Sequence, residues 1–329
     1  MMVKARPPEL AGRFPTPSGH WALFMGPSWV PAPPFEGRTA LEFEALCTID
    51  EHFRELGDAR FSTVAPIAFE SSLHAFAMEE KESDPLDQLL ADSGSESTVR
   101  SLLESTGAWL VQYHALSPDP APTHHDTRAQ LIEALRLTAS ELPASFPPAA
   151  PIRELCERTI EMIEKELPET LPTGLTHGDF WSGNVLVDGS GAVAVIDTFA
   201  ASRTPIFEDL AYFTFHLKAG TSPSAPFRVS DHALAREQQF LSGYFADGEI
   251  PIATLRVFEL CVLIRKWAGR CHRCAQRTGA RRIWKRVRLN RQARVFRAMA
   301  DWLFDALAAH REEGSAIGAG ANAEVRDGA

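Results

Sequence analysis

Asp179 and Asn184 stand five residues apart in the run His177-Gly178-Asp179-Phe180-Trp181-Ser182-Gly183-Asn184, and Asp197 follows Ala192-Val193-Ala194-Val195-Ile196, thirteen residues beyond Asn184. One carboxylate can orient a hydroxyl nucleophile, while an amide oxygen and a second carboxylate are hard donors suited to a magnesium ion. These are the two electrostatic tasks of phosphoryl transfer. Magnesium keeps several of its places for water and phosphate, so two protein ligands suffice. An ordinary hairpin with polar tips would leave the coincidence of the three side chains unexplained.

The surrounding residues must bring these groups together. Ser182 and Gly183 form a loop that can turn Asp179 and Asn184 toward one point. Val185-Leu186-Val187 reads as a short strand, Asp188-Gly189-Ser190-Gly191 as a turn and residues 192–196 as the returning strand, which carries Asp197 back beside Asn184.

His-Gly-Asp-x4-Asn, then Ile196-Asp197, then Glu208-Asp209-Leu210-Ala211 resembles the aminoglycoside phosphotransferase and choline kinase family. The likeness is strongest over residues 174–217 and weaker over most of 38–310. It implies an α+β, bilobal protein-kinase-like fold, with a short, atypical N-terminal β lobe and a mainly helical C-terminal lobe. It also implies ATP or GTP as phosphate donor, Mg2+, and a small-molecule hydroxyl as acceptor. By position, Asp179 resembles the catalytic aspartate, Asn184 and Asp197 the magnesium ligands, and Asp209 a buried aspartate bracing the catalytic loop, with His177 supporting that loop from behind. Glu42, with Glu44 as the alternative, matches the helix glutamate that holds a nucleotide-pairing lysine. Met78 and Glu80 fall at the hinge whose backbone would receive the nucleotide base.

The small lobe departs from the family pattern. About twenty residues before Glu42 lie Phe24 and Met25, in a segment without lysine, and Gly12, Gly19 and Gly26 do not cluster into a phosphate loop. Lys4, Arg38 and Lys81 are the substitute cations to consider, and Arg38 could instead pair with Glu42 four residues on. These departures keep open a non-catalytic, kinase-like nucleotide-binding or scaffold protein.

Periodicity and turn residues predict an irregular segment over 1–18, a β-rich nucleotide-binding lobe and hinge over 19–82, a helical catalytic and substrate-binding lobe over 83–312, and a disordered tail over 313–329. Strands are expected at 20–25, 64–69 and 74–78. Helices are expected at 38–56, 97–116, 127–143, 152–167, 206–218, 231–246, 251–276 and 281–311.

The chain has 329 residues and a net charge of -10. No apolar run approaches the ~20 residues needed to cross a bilayer. Five scattered cysteines suggest a reducing compartment, so a cytoplasmic location is expected. Cys156 reads as core. Cys271 and Cys274 resemble half a zinc site without a second half, and His124-His125-Asp126 reads as a loop ending in a helix N-cap. The charge is segregated, for residues 260–300 hold 13 Lys or Arg and no Asp or Glu. An apolar stripe of Leu289, Ala293, Phe296, Ala300, Leu303 and Leu307 leaves Arg286, Arg288, Arg291, Arg294 and Arg297 on the remaining surface. Such a surface is either a solvated face or one that attracts an anionic partner, and it would repel a polycationic aminoglycoside. The favoured acceptors are therefore a sugar, an anionic metabolite or a glycolipid head group. No nucleic-acid-binding motif accompanies the basic run.

Overall fold

Apolar residues recurring every three to four positions build most of the chain into helices, while short β-branched runs build small antiparallel sheets. The computed structural model describes residues 2–5, 35–71, 75–92, 95–116, 127–142, 149–198, 203–219, 227–275 and 279–324. In order these form β1 (Met2–Ala5), α1 (Phe35–Leu56), β2 (Pro66–Glu70), β3 (Ala75–Met78), β4 (Ser83–Pro85), α2 (Leu86–Ala91), α3 (Glu96–Ala115), α4 (Thr127–Glu141) and α5 (Ala149–Glu166). There follow β5 (Thr173–Leu175), a turn of 3₁₀-helix (Ser182–Asn184), β6 (Val185–Asp188), β7 (Val193–Val195), β8 (Arg203–Pro205), α6 (Phe207–Ala219), α7 (Asp231–Phe245), α8 (Ile252–Ala275) and α9 (Gly279–Glu324).

One sheet has the order β1-β3-β2, a second β4-β6-β7, and β5 pairs with β8. The first sheet and α1 share a small apolar cluster of Leu46, Val64, Phe76, Met78 and Ala194. Residues 79–82 then link it to the sheet that contains the β6–β7 hairpin, and α3 to α9 enclose the main core.

Two differences from the sequence reading concern the N-terminal region. Residues 1–18 were expected to be irregular, yet Met2–Ala5 is a strand, with Lys4 opposite Phe76 and Met2 opposite Met78. The pairing partner lies about seventy residues away in sequence, so no local pattern announces it. Residues 83–85, within a charged stretch, are likewise a strand because β6 offers them an edge. The expected strand at 20–25 and the His124-His125-Asp126 loop lie outside the described residues. The backbone of α9 continues as helix to Glu324, and residues 325–329 lie outside the described residues.

Helix packing fixes the frame of the site. Ser95 and Ser230 cap α3 and α7 by accepting hydrogen bonds from Thr98 N and Ala233 N, each 3.2 Å long. These two helices cross with their backbones almost touching. A Cβ on Gly107 would lie 2.2 Å from the carbonyl oxygen of Phe240, and one on Gly243 would lie 2.0 Å from that of Glu104. Only glycine permits that approach, which seats the end of α3 against Tyr244. A run of rings ties α1 to the loop after β5. Phe53 stacks on Trp109 at 4.9 Å, and Trp109 lies 5.3 Å from Tyr113 and 6.1 Å from Phe180.

A closed group of four charges joins α6, α7 and α8. Lys218 pairs with Glu237 and with Glu259 (2.5 Å), and Arg256 pairs with Glu237 (2.5 Å) and Glu259 (2.9 Å). Lys218 and Arg256 also lie 5.6 and 5.2 Å from the Trp302 ring of α9. Two cations and two carboxylates cancel, which is how four buried ionised groups remain tolerable.

Candidate active site

The β6–β7 hairpin pairs Val185 with Val195 and Val187 with Val193, and Ile196 N donates to Asn184 O at 3.0 Å. Asp197 therefore leaves the hairpin one residue beyond the partner of Asn184. Its φ of +64° is in the left-handed region, which Asp tolerates better than most residues, and its side chain is exposed.

Asn184 is buried at the end of the 3₁₀ turn, and its Nδ2 donates to Asp179 O at 2.9 Å and to Asp179 Oδ2 at 3.3 Å. The amide nitrogen is thus committed to Asp179, which leaves the amide oxygen as the free donor atom of Asn184. An amide oxygen and an exposed carboxylate match the donor set a magnesium ion takes from protein when phosphate and water fill its other places. Among the described residues, no three His, Cys, Asp or Glu side chains gather as an all-protein cage.

Asp209 organises the loop from beneath. Glu208 and Asp209 occupy the first turn of α6, where carboxylates suit the positive end of the helix. Asp209 Oδ2 accepts from His177 N (2.6 Å) and His114 Nε2 (3.1 Å), and Oδ1 accepts from Gly178 N (2.9 Å). Burial pushes this carboxyl up, but the His114 hydrogen bond and the other donors more than offset it, so it lies below the usual carboxylate value. Gly178 has φ +81°, a conformation glycine supplies without strain, and the turn aims two successive N–H groups at Asp209.

His177 is fully enclosed. Asp179 N donates to its Nδ1 at 3.3 Å, so its Nε2 carries the proton and donates to Ile196 O at 3.0 Å. Burial holds its pKa below the ordinary histidine value, consistent with this neutral tautomer. The imidazole therefore spans the site, linking the Asp179 backbone to the strand that delivers Asp197.

Two further residues that sequence reasoning did not single out reach Asp179, one directly and the other through it. Tyr212 Oη donates to Asp179 Oδ1 at 2.5 Å, and Lys266 Nζ donates to Tyr212 Oη at 2.8 Å. Tyr212 was legible in principle, because it lies three residues after Asp209 and shares its helix face. Lys266 was not, since it sits among 13 basic residues and on a different helix.

The other expected site residues lie in or beside the small sheet. Glu42 is buried on α1, Met78 ends β3, and Glu80 is exposed in the link that follows. Lys4 is on the strand next to β3, while the side chain of Arg38 lies outside the described residues. At the hairpin turn the Ser190 hydroxyl is the main group holding the Asp188 carboxyl low, and Lys81 adds a weak electrostatic pull in the same direction. Cys156, Cys271 and Cys274 are buried.

The arginine arrangement on α9 is as read, with Leu289, Phe296, Leu303 and Leu307 buried and Arg286, Arg288, Arg291, Arg294 and Arg297 exposed. Among the described residues, no helix is long and apolar enough to cross a membrane.

No curated protein sequence matches the chain. Among solved structures it is similar to a choline/ethanolamine kinase family protein from Mesorhizobium loti, with a TM-score of 0.51 and 12% identity over 82% of this chain and 84% of that one. It is also similar to choline kinase LicA from Streptococcus pneumoniae (TM-score 0.49, 14% identity, 81% of this chain and 83% of that one). Spectinomycin phosphotransferase in an AMP-bound complex gives a TM-score of 0.49 and 15% identity over 78% of this chain and 83% of that one. The first likeness shows a shared kinase-like fold, α+β and bilobal. The model of the phosphotransferase enzyme family matches residues 32–241, more than half of the sequence, and the chain belongs to that family.

Proposed function

We propose that the protein transfers the γ-phosphoryl group of ATP or GTP to a hydroxyl of a small molecule. The observation that carries this reading is the convergence of Asp179, Asn184 and the end of β7 on one loop, braced by Asp209 and His177. A sugar, an anionic metabolite or a glycolipid head group is favoured over an aminoglycoside, because basic residues dominate α8 and α9. Residues 19–82 would receive the nucleotide, with Met78 and Glu80 at the hinge. Lys4, Arg38 and Lys81 remain the substitute cations to test for the nucleotide phosphates.

In this mechanism Asp179 orients the acceptor hydroxyl and receives its proton. Tyr212 already donates to Oδ1, so Oδ2, with only its long contact to Asn184, faces the acceptor. The Asn184 amide oxygen and the Asp197 carboxylate would hold Mg2+, which when bound neutralises charge on the nucleotide phosphates. His177 and Asp209 keep the loop in register. General-base assistance contributes about 10² to 10⁴ in rate, while charge stabilisation is usually the larger effect.

The test separates binding from transfer. Asp197→Ala should lose magnesium-dependent stabilisation by ATP or GTP in a thermal-shift assay, together with turnover. Asp179→Asn should keep that stabilisation and lose turnover by about 10² or more. A ligand at 100 times its dissociation constant adds ~2.7 kcal/mol, which such an assay resolves easily. Unchanged turnover in the Asp197 variant would refute the assignment.

A further inference from the structure

Most of the basic run is an ordinary solvated face, but part of it is not. Lys266 and Arg270 of α8 are only partly exposed, and no carboxylate among the described residues forms an ion pair with either of them. Arg265, beside them in sequence, differs in that it pairs with Glu208 at 2.5 Å. Lys266 instead reaches Tyr212 Oη, and through it stands two hydrogen bonds from the Asp179 carboxylate. Arg270, one turn further along α8, lies 4.9 Å from the Phe296 ring and within electrostatic reach of Arg288 on α9. His216 completes the cluster. Its ring packs 5.0 Å from Tyr212 and 5.3 Å from Trp181, and its buried Nε2 has no hydrogen-bond partner among the described residues.

Cations drawn out of water next to one another, with no carboxylate in direct contact, are costly unless a ligand supplies the missing charge. That cost is visible at Lys266. Burial lowers its pKa to about 7, Asp179 opposes the change, and Arg270, Arg265 and Arg273 reinforce it. Arg270 is lowered by burial and by Arg273 and Arg288, and His216 is lowered to about 3 by burial, Lys266 and Arg270. These effects favour the neutral imidazole, whose orphaned nitrogen can donate or accept a hydrogen bond.

We infer that the acceptor carries, besides its reacting hydroxyl, an anionic group, either carboxylate or phosphate, held by Lys266 and Arg270 with Arg288 closing the far side. The inference rests on the phosphotransferase reading only for Asp179 facing the acceptor; the anion site itself stands on the cluster. Four residues of helix span about 6 Å, so the anion lies roughly one helical turn beyond the position nearest Asp179. That offset distinguishes it from the phosphoryl group in flight, which arrives at Asp179 itself.

Inorganic phosphate, without nucleotide or magnesium, probes the site directly by calorimetry. Wild type should bind it, Lys266→Met and Arg270→Met should each weaken binding by about tenfold or more, and Arg270→Lys should retain most of it. Arg294→Met, on the exposed face of α9, should bind as wild type does. Absence of binding by wild type, or equal binding by all variants, overturns the site. The acceptor assignment is read from turnover with ATP and magnesium, using pairs that differ only in charge, such as a sugar phosphate and its parent sugar, or a hydroxy acid and its amide. The charged member should have the higher kcat/KM by about tenfold, and in Arg270→Met that advantage should shrink, chiefly through KM. A preference for neutral members overturns the assignment. Turnover of no acceptor, with phosphate binding behaving as expected, would defeat the phosphotransferase reading and leave the anion site standing.

Discussion

Asp209→Asn isolates the charge that braces the loop carrying Asp179. The carboxylate accepts three hydrogen bonds from side chain and backbone while buried, one on Oδ1 and two on Oδ2. An amide of the same shape must place its NH2 group where one oxygen stood. In the better orientation it faces Gly178 N, so one charge-assisted bond is lost, one buried donor is left unmet and the other two bonds weaken. Hydrogen bonds to charged groups are worth about 1.5–3 kcal/mol and an unmet buried donor costs a similar amount, so the substitution should destabilise the protein by ~3 kcal/mol at neutral pH. The pH dependence supplies a second readout. Because the native pKa is below the unfolded value, the stabilisation is fully present above about pH 4 and is lost as pH falls through the native value. The gap between wild type and variant should therefore close below about pH 4. His177, whose native pKa is lowered by burial, makes both proteins lose stability as pH falls below about 6.5, and because the Asp209 charge partly opposes that lowering, the variant loses more on this account until Asp209 is protonated in wild type. Urea unfolding followed by circular dichroism between pH 3 and pH 8 measures all of this. A cost under about 1 kcal/mol, or a gap that does not change with pH, would refute the hydrogen-bond account.

Lys218→Met should cost about 3–5 kcal/mol by urea unfolding, because Glu237 and Glu259 would then share Arg256 alone and leave one buried negative charge unanswered. Burial alone would raise the Glu237 carboxyl, and Lys218 is the first of the groups that hold it low instead. Gly107→Ala should cost about 1–3 kcal/mol by forcing α3 and α7 apart, whereas Gly189→Ala, with nothing within 4 Å of the added methyl, should be neutral in the same assay.

The sequence disclosed what is local. Asp179, Asn184 and Asp197 fall within one loop and one hairpin, so spacing alone brings them near each other. The apolar stripe of α9 likewise declared its own buried side. What it concealed depends on distant partners. β1 exists only because β3 offers its edge, and the prolines that follow Arg6 make the segment read as irregular. Lys266 acquires a role from Tyr212, 54 residues earlier, and no pattern within α8 separates it from its exposed neighbours. His114 is similar, because its place under the loop depends on the glycines that let α3 approach α7.

The stacked rings of Phe53, Trp109 and Phe180 clamp the last third of α1 to the loop that carries Asp179. Glu42 lies eleven residues back along that helix, about 16 Å from the clamp. A tilt of the helix about Phe53 would therefore be magnified at Glu42, where about ten degrees becomes a displacement of about 3 Å. Such a tilt would move the glutamate far more than the loop that holds Asp179, so the two ends of α1 need not move together.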